Sequence, residues 1–268
     1  MPYITVRNHN LHYTDTPASF RSPKATIVFV HGLGSTQNYF FPILPYLSEY
    51  RCITFDTYGA GRSKLNDPIG EHSIGSIGVD VLSILDRLCG NDSRAIVVGY
   101  SMGGMVPTHL AATASARVLA AICIGPVHPT PSIADVFKQR VPKVREEGME
   151  AMANTIPYAA TGPKTTPTMQ AFIREMLLSQ SVEGYTLNCK AIEEATPPEY
   201  GKVTSPVYII AGSEDKSAPV NGCELIMGEI ATNDKTLEVL DGVGHWHCVE
   251  TPEKVGGLLK AFCDRVVG

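Results

Sequence analysis

Apolar residues along this chain follow two patterns: short unbroken runs rich in β-branched residues, and longer stretches with an apolar residue at every third or fourth place. The runs Ala25 to Val30, Cys52 to Phe55, Ala95 to Val98, Leu119 to Ile124 and Val207 to Ala211 are apolar at odd and even positions alike. That predicts strands covered on both faces, as in a parallel sheet between helices. Ile77, Val81, Ile84, Leu85 and Leu88 keep helical spacing, which predicts a helix burying one stripe. Tyr3 to Val6 and Leu11 to Tyr13 flank Asn8-His9-Asn10 as the arms of a hairpin would, and Thr236 to Leu240 predicts a further strand. A helix is expected around Phe40 to Leu47, its start made ragged by Pro42 and Pro45, and a weaker one over Cys223 to Ile230. The last helix has Thr251 as its N-cap, Pro252 at the first helical position and an apolar side of Val255, Leu258, Leu259, Phe262 and Val266.

The alternation of strand and helix lapses once. Between Gly125 and about Lys202 no strand signal stands out, while Met149, Met152, Ala153 and Ile156 share one helical face and Met169, Phe172, Ile173, Met176 and Leu177 share another. Prolines punctuate the segment, and a linker would not carry repeated apolar faces. The expectation is an α/β protein: a core of residues 1–125 and 203–268, with a mostly parallel central sheet flanked by helices, and a helical cap of residues 126–202 inserted before the strand at 207–211.

Composition narrows the function classes. With 268 residues, 44% of them hydrophobic and 18% charged, the chain can bury a full core, and disorder is excluded. A net charge of −5 without runs of like charge gives no footprint for nucleic acid or an anionic membrane. No apolar stretch reaches the roughly 18–20 residues of a membrane span. Met1-Pro2-Tyr3-Ile4-Thr5 lacks the regions of a signal peptide, and the seven cysteines are odd in number with no Cys-x-x-Cys pair, so a reducing, cytoplasmic setting is expected.

The candidate chemistry sits at Ala95 to Met105. A buried strand runs into Gly99-Tyr100-Ser101-Met102-Gly103, and a small-residue helix follows, which is the context of a nucleophile elbow. A serine hydroxyl is a poor nucleophile unaided, so it needs a base in hydrogen-bond reach and a carboxylate to orient that base. On an elbow the partners come in the order serine, acid, histidine, beyond the carboxyl ends of later strands. Asp215 and His245 fit. Glu214 and Asp241 are the rival acids and His247 the rival base. Gly244, which leaves the loop free to aim an imidazole, favours His245. The oxyanion donors are expected to be the backbone N–H groups of Met102 and of Leu33, in His31-Gly32-Leu33-Gly34. His9, His12, His31, His72, His109 and His128 are read as structural. So is the glycine-rich turn Asp56 to Ser63, which lacks a phosphate-cradling pattern.

With these residues placed, the chain resembles the α/β-hydrolase superfamily over nearly all its length, and within it the 3-oxoadipate enol-lactonase-like branch. The phrases that carry the likeness are Met1 to Val6 with Leu11-His12-Tyr13, Gly32-Leu33-Gly34, Asp56-Thr57-Tyr58-Gly59-Ala60-Gly61-Arg62-Ser63, Gly99 to Met105 and Glu147-Gly148-Met149-Glu150-Ala151-Met152. The resemblance implies an ester- or lactone-cleaving serine hydrolase with Ser101, Asp215 and His245 as its triad, a small-molecule substrate, no cofactor and no metal. The chain departs from the branch in the cap, where Thr155-Ile156-Pro157-Tyr158 stands in place of an Arg-Trp-Phe-like phrase. Arg140, Arg145 and Arg174 could stand in for the missing arginine but are read as solvated. Met152, Tyr158, Phe172, Met176 and Trp246 then become the expected substrate contacts, and the substrate is expected to be neutral or partly hydrophobic. Carbon–carbon bond hydrolysis or perhydrolysis on the same triad, or a receptor that binds without turnover, are the alternatives. Dehalogenase and epoxide hydrolase chemistry is disfavoured, because it uses an aspartate where Ser101 stands.

Overall fold

The computed structural model describes residues 2–20, 22–66 and 69–268. Met1, at the head of the predicted opening segment, and Arg21, Asp67 and Pro68, inside the predicted 1–125 unit, lie outside the described residues. Strands β1 (Tyr3–Val6) and β2 (His9–Thr16) form the predicted hairpin, turning at Arg7 and Asn8 with φ of 43° and 68°. Two successive left-handed residues make the tight turn whose twist suits a hairpin. Strand β2 runs on to Thr16 because its second half pairs with β4 (Arg51–Phe55), from Tyr13 opposite Phe55 to Thr16 opposite Cys52.

With β3 (Thr26–Val30), β5 (Ala95–Tyr100), β6 (Val118–Ile124), β7 (Val207–Gly212) and β8 (Lys235–Leu240), the described residues form one eight-stranded sheet in the order β1-β2-β4-β3-β5-β6-β7-β8. Pairings from β4 to β8 are all parallel. The unbroken apolar runs have a simple cause. Ile27 and Phe29 of β3 face one core and Val28 and Val30 the other, and β5 divides in the same way between Ile96 and Val98 on one side and Ala95 and Val97 on the other. Helices α1 (Ile74–Cys89), α2 (Met105–Thr113) and α6 (Val220–Glu229) bury Ile77, Val81, Val106, Leu110 and Ile226 in the second of these cores. Helix α8 (Pro252–Val267) covers the opposite face with Val255, Leu259 and Phe262.

One local expectation is corrected. Around Phe40 to Leu47 there is no α-helix, only two 3-10 turns, Gln37–Phe40 and Leu44–Leu47. Pro42 and Pro45 remove two amide donors from a short stretch, so no continuous i to i−4 ladder forms. Thr251 does precede α8, but its side chain makes no capping hydrogen bond.

Between β6 and β7 the chain forms α3 (Pro131–Ala159), α4 (Pro167–Leu178) and α5 (Val182–Glu193). Helix α3 is broken at Gly148, which has φ 74° and ψ −178°. A Cβ on Gly34, past β3, would touch Leu177 and Tyr185, and one on Gly59, past β4, would touch Gly184, so α4 and α5 lie against the carboxyl ends of the sheet. Among the described residues no helix is long and apolar enough to cross a membrane.

Candidate active site

Strand β5 ends at Tyr100, a 3-10 turn spans Ser101–Gly104, and α2 starts at Met105. Ser101 takes φ 54°, left-handed backbone that side chains rarely adopt and that is held only where the surroundings over-determine it. The surroundings here are crowded backbone. A Cβ on Gly99 would lie 2.0 Å from the Gly103 carbonyl oxygen, and one on Gly103 would lie 2.3 Å from that of Val30. Only glycine at both positions lets strand and helix close around the serine.

His245, in the loop after β8, reaches that serine: its Nε2 lies 2.9 Å from Ser101 Oγ, and its Nδ1 lies 2.7 Å from Asp215 Oδ2. A carboxylate only accepts, so Nδ1 donates to Asp215 and the Nε2 lone pair faces the serine hydroxyl. The other Asp215 oxygen, Oδ1, accepts the N–H groups of Ser217 and Ala218, both at 2.8 Å. Burial alone would raise the Asp215 carboxyl. The charge and hydrogen bond of His245, the neighbouring His247 and the Ala218 N–H outweigh burial and hold it below the usual carboxylate range. The arrangement can move the serine proton onto a histidine whose orientation and charge the aspartate supports.

The rivals lie elsewhere. Glu214 and Asp241 are exposed. His247 is fully buried, donates from Nδ1 to the His245 carbonyl at 2.7 Å, and is pushed down to about 4 chiefly by burial, so it is neutral near pH 7. Its Nε2 stands 3.9 Å from Asp215 Oδ2. His31 holds the loop after β3 by bonding the Gly32 carbonyl at 2.8 Å and accepting the Thr57 N–H at 3.0 Å. Asp56 accepts the N–H groups of Gln37 and Arg62. Both act as structural groups.

Ser101, His245 and Leu33 open onto a cavity of about 260 Å³. A Cβ on Gly32 would meet Ser101 Cβ at 2.7 Å, so the backbone leading into Leu33 passes directly beside the serine. Met102, the other expected donor, is buried immediately after Ser101.

Of the five expected substrate contacts, only Trp246 lines this cavity. Tyr158 is 65% exposed, Met152 and Phe172 pack in the apolar cluster to which α3 and α4 contribute, and Met176 is buried in the same cluster with its sulfur accepting from the Ser35 hydroxyl at 3.8 Å. Apart from Ile156 and Leu177, which reach the cavity, their shared faces serve packing. The wall comes instead from the first half of α3, with Ile133, Val136, Phe137 and Arg140, and from its end at Ile156 and Ala160. The spacing of Ile133, Phe137 and Arg140 at i, i+4 and i+7 is a helical signal that marks this face in the sequence. Arg140 is therefore no surface arginine. Its guanidinium sits over the Phe137 ring, 4.9 Å from the centroid, and against the phenol of Tyr185. Arg174, by contrast, pairs with Glu150 outside the cavity. Lys216 adds a second cation to the lining, at its exposed edge, and no carboxylate side chain is among the described lining residues.

Similarity to known proteins runs the length of the chain. 3-Oxoadipate enol-lactonase 1 of Acinetobacter baylyi is 28% identical over 250 residues, 90% of this chain and 89% of that protein. The crystal structure of the enol-lactonase from Burkholderia xenovorans LB400 superposes with a TM-score of 0.88 at 27% identity, covering 98% of this chain and 100% of that one. A thermophilic esterase from Thermogutta terrifontis, 20% identical, shares the fold with a TM-score of 0.87 over 100% of this chain and 99% of the other. The model of the alpha/beta hydrolase family matches residues 27–257, and by that match, together with the sheet order above, this chain belongs to the alpha/beta hydrolase family.

Proposed function

We propose that the protein is a carboxylic ester hydrolase that opens an ester or lactone through an acyl-enzyme on Ser101. The observation that carries this reading is the hydrogen-bond relay from Ser101 Oγ through His245 to Asp215, at 2.9 and 2.7 Å, on a serine held at positive φ. His245 takes the hydroxyl proton as Ser101 attacks the carbonyl, then returns it to the leaving oxygen. Water, activated by the same imidazole, releases the acid. The backbone N–H groups of Leu33 and Met102 hold the oxyanion, a role supported by the loop backbone beside Ser101. Enol-lactonases among the similar proteins support the reaction class.

In the same reading residues 1–125 and 203–268 are the catalytic core and residues 126–202 the cap that walls the cavity. Ile133, Phe137, Ile156 and Trp246 receive an apolar substrate body. Arg140 and Lys216 have no ion pair among the described residues, so the neutral substrate expected from sequence gives way to one with an anionic group, most simply a carboxylate, at that end. All seven cysteines are free thiols, which supports a cytoplasmic setting.

The test is labelling by a fluorophosphonate probe together with turnover of a panel of aryl esters and lactones. Labelling and turnover are expected in the wild type, and Ser101→Ala is expected to abolish the first and lower the second by on the order of 10⁴-fold or more. A folded Ser101→Ala protein with near wild-type turnover overturns the reading.

A further inference from the structure

His245 lies in a loop between β8 and the short helix α7 (His247–Glu250), and a base carried on a loop needs its backbone fixed. Its own N–H donates to the Ala160 carbonyl at 2.8 Å. The amides on either side converge on a single side chain: Gly244 N–H donates to Glu250 Oε2 and Trp246 N–H to Glu250 Oε1, each at 2.9 Å. Oε2 also accepts the Gly162 N–H at 2.7 Å and the Thr165 hydroxyl at 3.2 Å. One carboxylate thus ties the loop bearing His245 to the segment that leaves α3. The contact is backbone to backbone, since a Cβ on Gly162 would lie 2.2 Å from the Gly242 carbonyl oxygen and one on Gly244 would lie 2.6 Å from the Gly162 nitrogen. Gly244 therefore serves close approach, not the free aiming of the imidazole, and its φ is not left-handed.

We propose that Glu250 is a positioning residue for the hydrolysis: it holds residues 244–246 so that the His245 imidazole stays between Asp215 and Ser101. The inference rests on the roles given to Ser101 and His245 under Proposed function. Hydrogen bonds to an ionised acceptor are about twice as strong as neutral ones, and here four uncharged donors from two chain segments share it. Lys164 and Asp241 line the same small cavity as Glu250. Without the carboxylate, two amides that flank the base lose their partner and turn toward other acceptors, and His245, held between them, turns with them. A displacement of about 1 Å at a reacting group costs on the order of 100-fold in rate.

The test compares full-length wild type, Glu250→Ala, Glu250→Gln and Ser101→Ala. It reads kcat and KM on a p-nitrophenyl ester, the fluorophosphonate labelling rate per folded molecule, and the folded fraction by thermal unfolding. Glu250→Ala is expected to lower kcat and the labelling rate per folded molecule by about 10- to 100-fold, with KM changed by less than about 3-fold. Glu250→Gln keeps one acceptor oxygen for Gly162 and Gly244 and sets its NH2 against the Trp246 N–H, so a loss of about 3- to 10-fold is expected. A purely structural role would lower the folded fraction and leave both rates per folded molecule at wild type, and that result overturns the proposal. Should Glu250→Ala fail to fold, Glu250→Gln decides, and wild-type rates in that variant overturn it. An active Ser101→Ala protein sinks the serine-hydrolase reading, and the role of Glu250 with it. An inactive Ser101→Ala beside an unimpaired Glu250→Ala sinks only the role given to Glu250.

Discussion

Replacing Asp215 with asparagine tests the relay where the surrounding backbone leaves least freedom. Oδ1 accepts two N–H groups, from Ser217 and Ala218 at 2.8 Å, while Oδ2 faces His245 Nδ1 at 2.7 Å. A carboxamide has one acceptor oxygen, and the two fixed N–H groups claim it, since turning the NH2 toward them would set donor against donor. The NH2 then faces Nδ1, which has to accept. The ring proton moves to Nε2 and points at the Ser101 oxygen 2.9 Å away, where no lone pair is left to take the serine proton. The expected loss in kcat is about 10⁴-fold, about 5.5 kcal/mol of barrier. Asp215→Ala removes the same charge without dictating a tautomer, so its kcat is expected to lie between wild type and Asp215→Asn. The assay is kcat on an aryl ester, normalised by active-site titration, with the imidazole tautomer read from nitrogen chemical shifts. A folded Asp215→Asn protein within about 10-fold of wild type would refute the reasoning, as would an alanine variant slower than the asparagine one.

Two further outcomes follow from the cavity and the buried histidines. Arg140→Gln is expected to raise KM about 10- to 100-fold for an ester whose acid carries a second carboxylate, the range of a charge-assisted hydrogen bond, and to leave a matched neutral ester within about 3-fold; equal effects on both esters would remove the anionic substrate from the reading. His72 and His247 are each pushed by burial from 6.5 down to about 4, so the unfolded chain binds their protons first. Their contribution is complete above about pH 6.5 and is lost as pH falls toward 4, by about 2–3 kcal/mol each at pH 4.5. Urea unfolding at pH 7 and pH 4.5 measures this, with a smaller drop expected for His72→Gln, and an equal drop in that variant contradicts the assignment.

Legibility in the sequence follows how many constraints act on a residue at once. Ser101 is bound by strand propensity before it, by two glycines whose Cβ atoms would strike backbone, and by a helix after it, and all three leave marks in the sequence. Asp215 and His245 are marked by chain order and by the strands that precede them. Strands β3 to β7 are legible because both faces are buried, so most positions on both faces are apolar. Helix α5 carries no such mark. Beside Tyr185, Cys189 and Ile192 it buries Thr186 and Asn188, and the Asn188 side-chain oxygen bonds His72 Nε2 at 3.0 Å, so its inward face is half polar and apolar periodicity is blind to it.

Four of the five expected substrate contacts lie off the cavity, three of them for the opposite reason: their apolar signal is real but answers a different demand. Met152, Phe172 and Met176 pack in the apolar cluster and off the cavity, so packing takes most of the strongest faces of α3 and α4. Only Ile156 and Leu177, at the margins of those faces, reach the cavity, and the rest of its helical wall is chiefly the weaker face of Ile133, Phe137 and Arg140, diluted by Lys138 and Gln139 and followed by Pro142. A cavity wall has to stay unfilled, so its residues gain no packing partner that would force strong periodicity, and under the proposed function a cation is tolerated there because an anionic substrate group would supply its counter-charge. Arg140 illustrates the point: the aromatic ring beneath it and the phenol beside it hold the guanidinium in place, and among the described residues it has no ion pair. Glu250 was hidden in yet another way, because its partners are backbone N–H groups, which every sequence possesses, and only the fold brings residues 162, 244 and 246 to one carboxylate. Side chains that bind main chain leave no complementary residue to find, so positioning groups of this kind become visible only once the loops are closed around them.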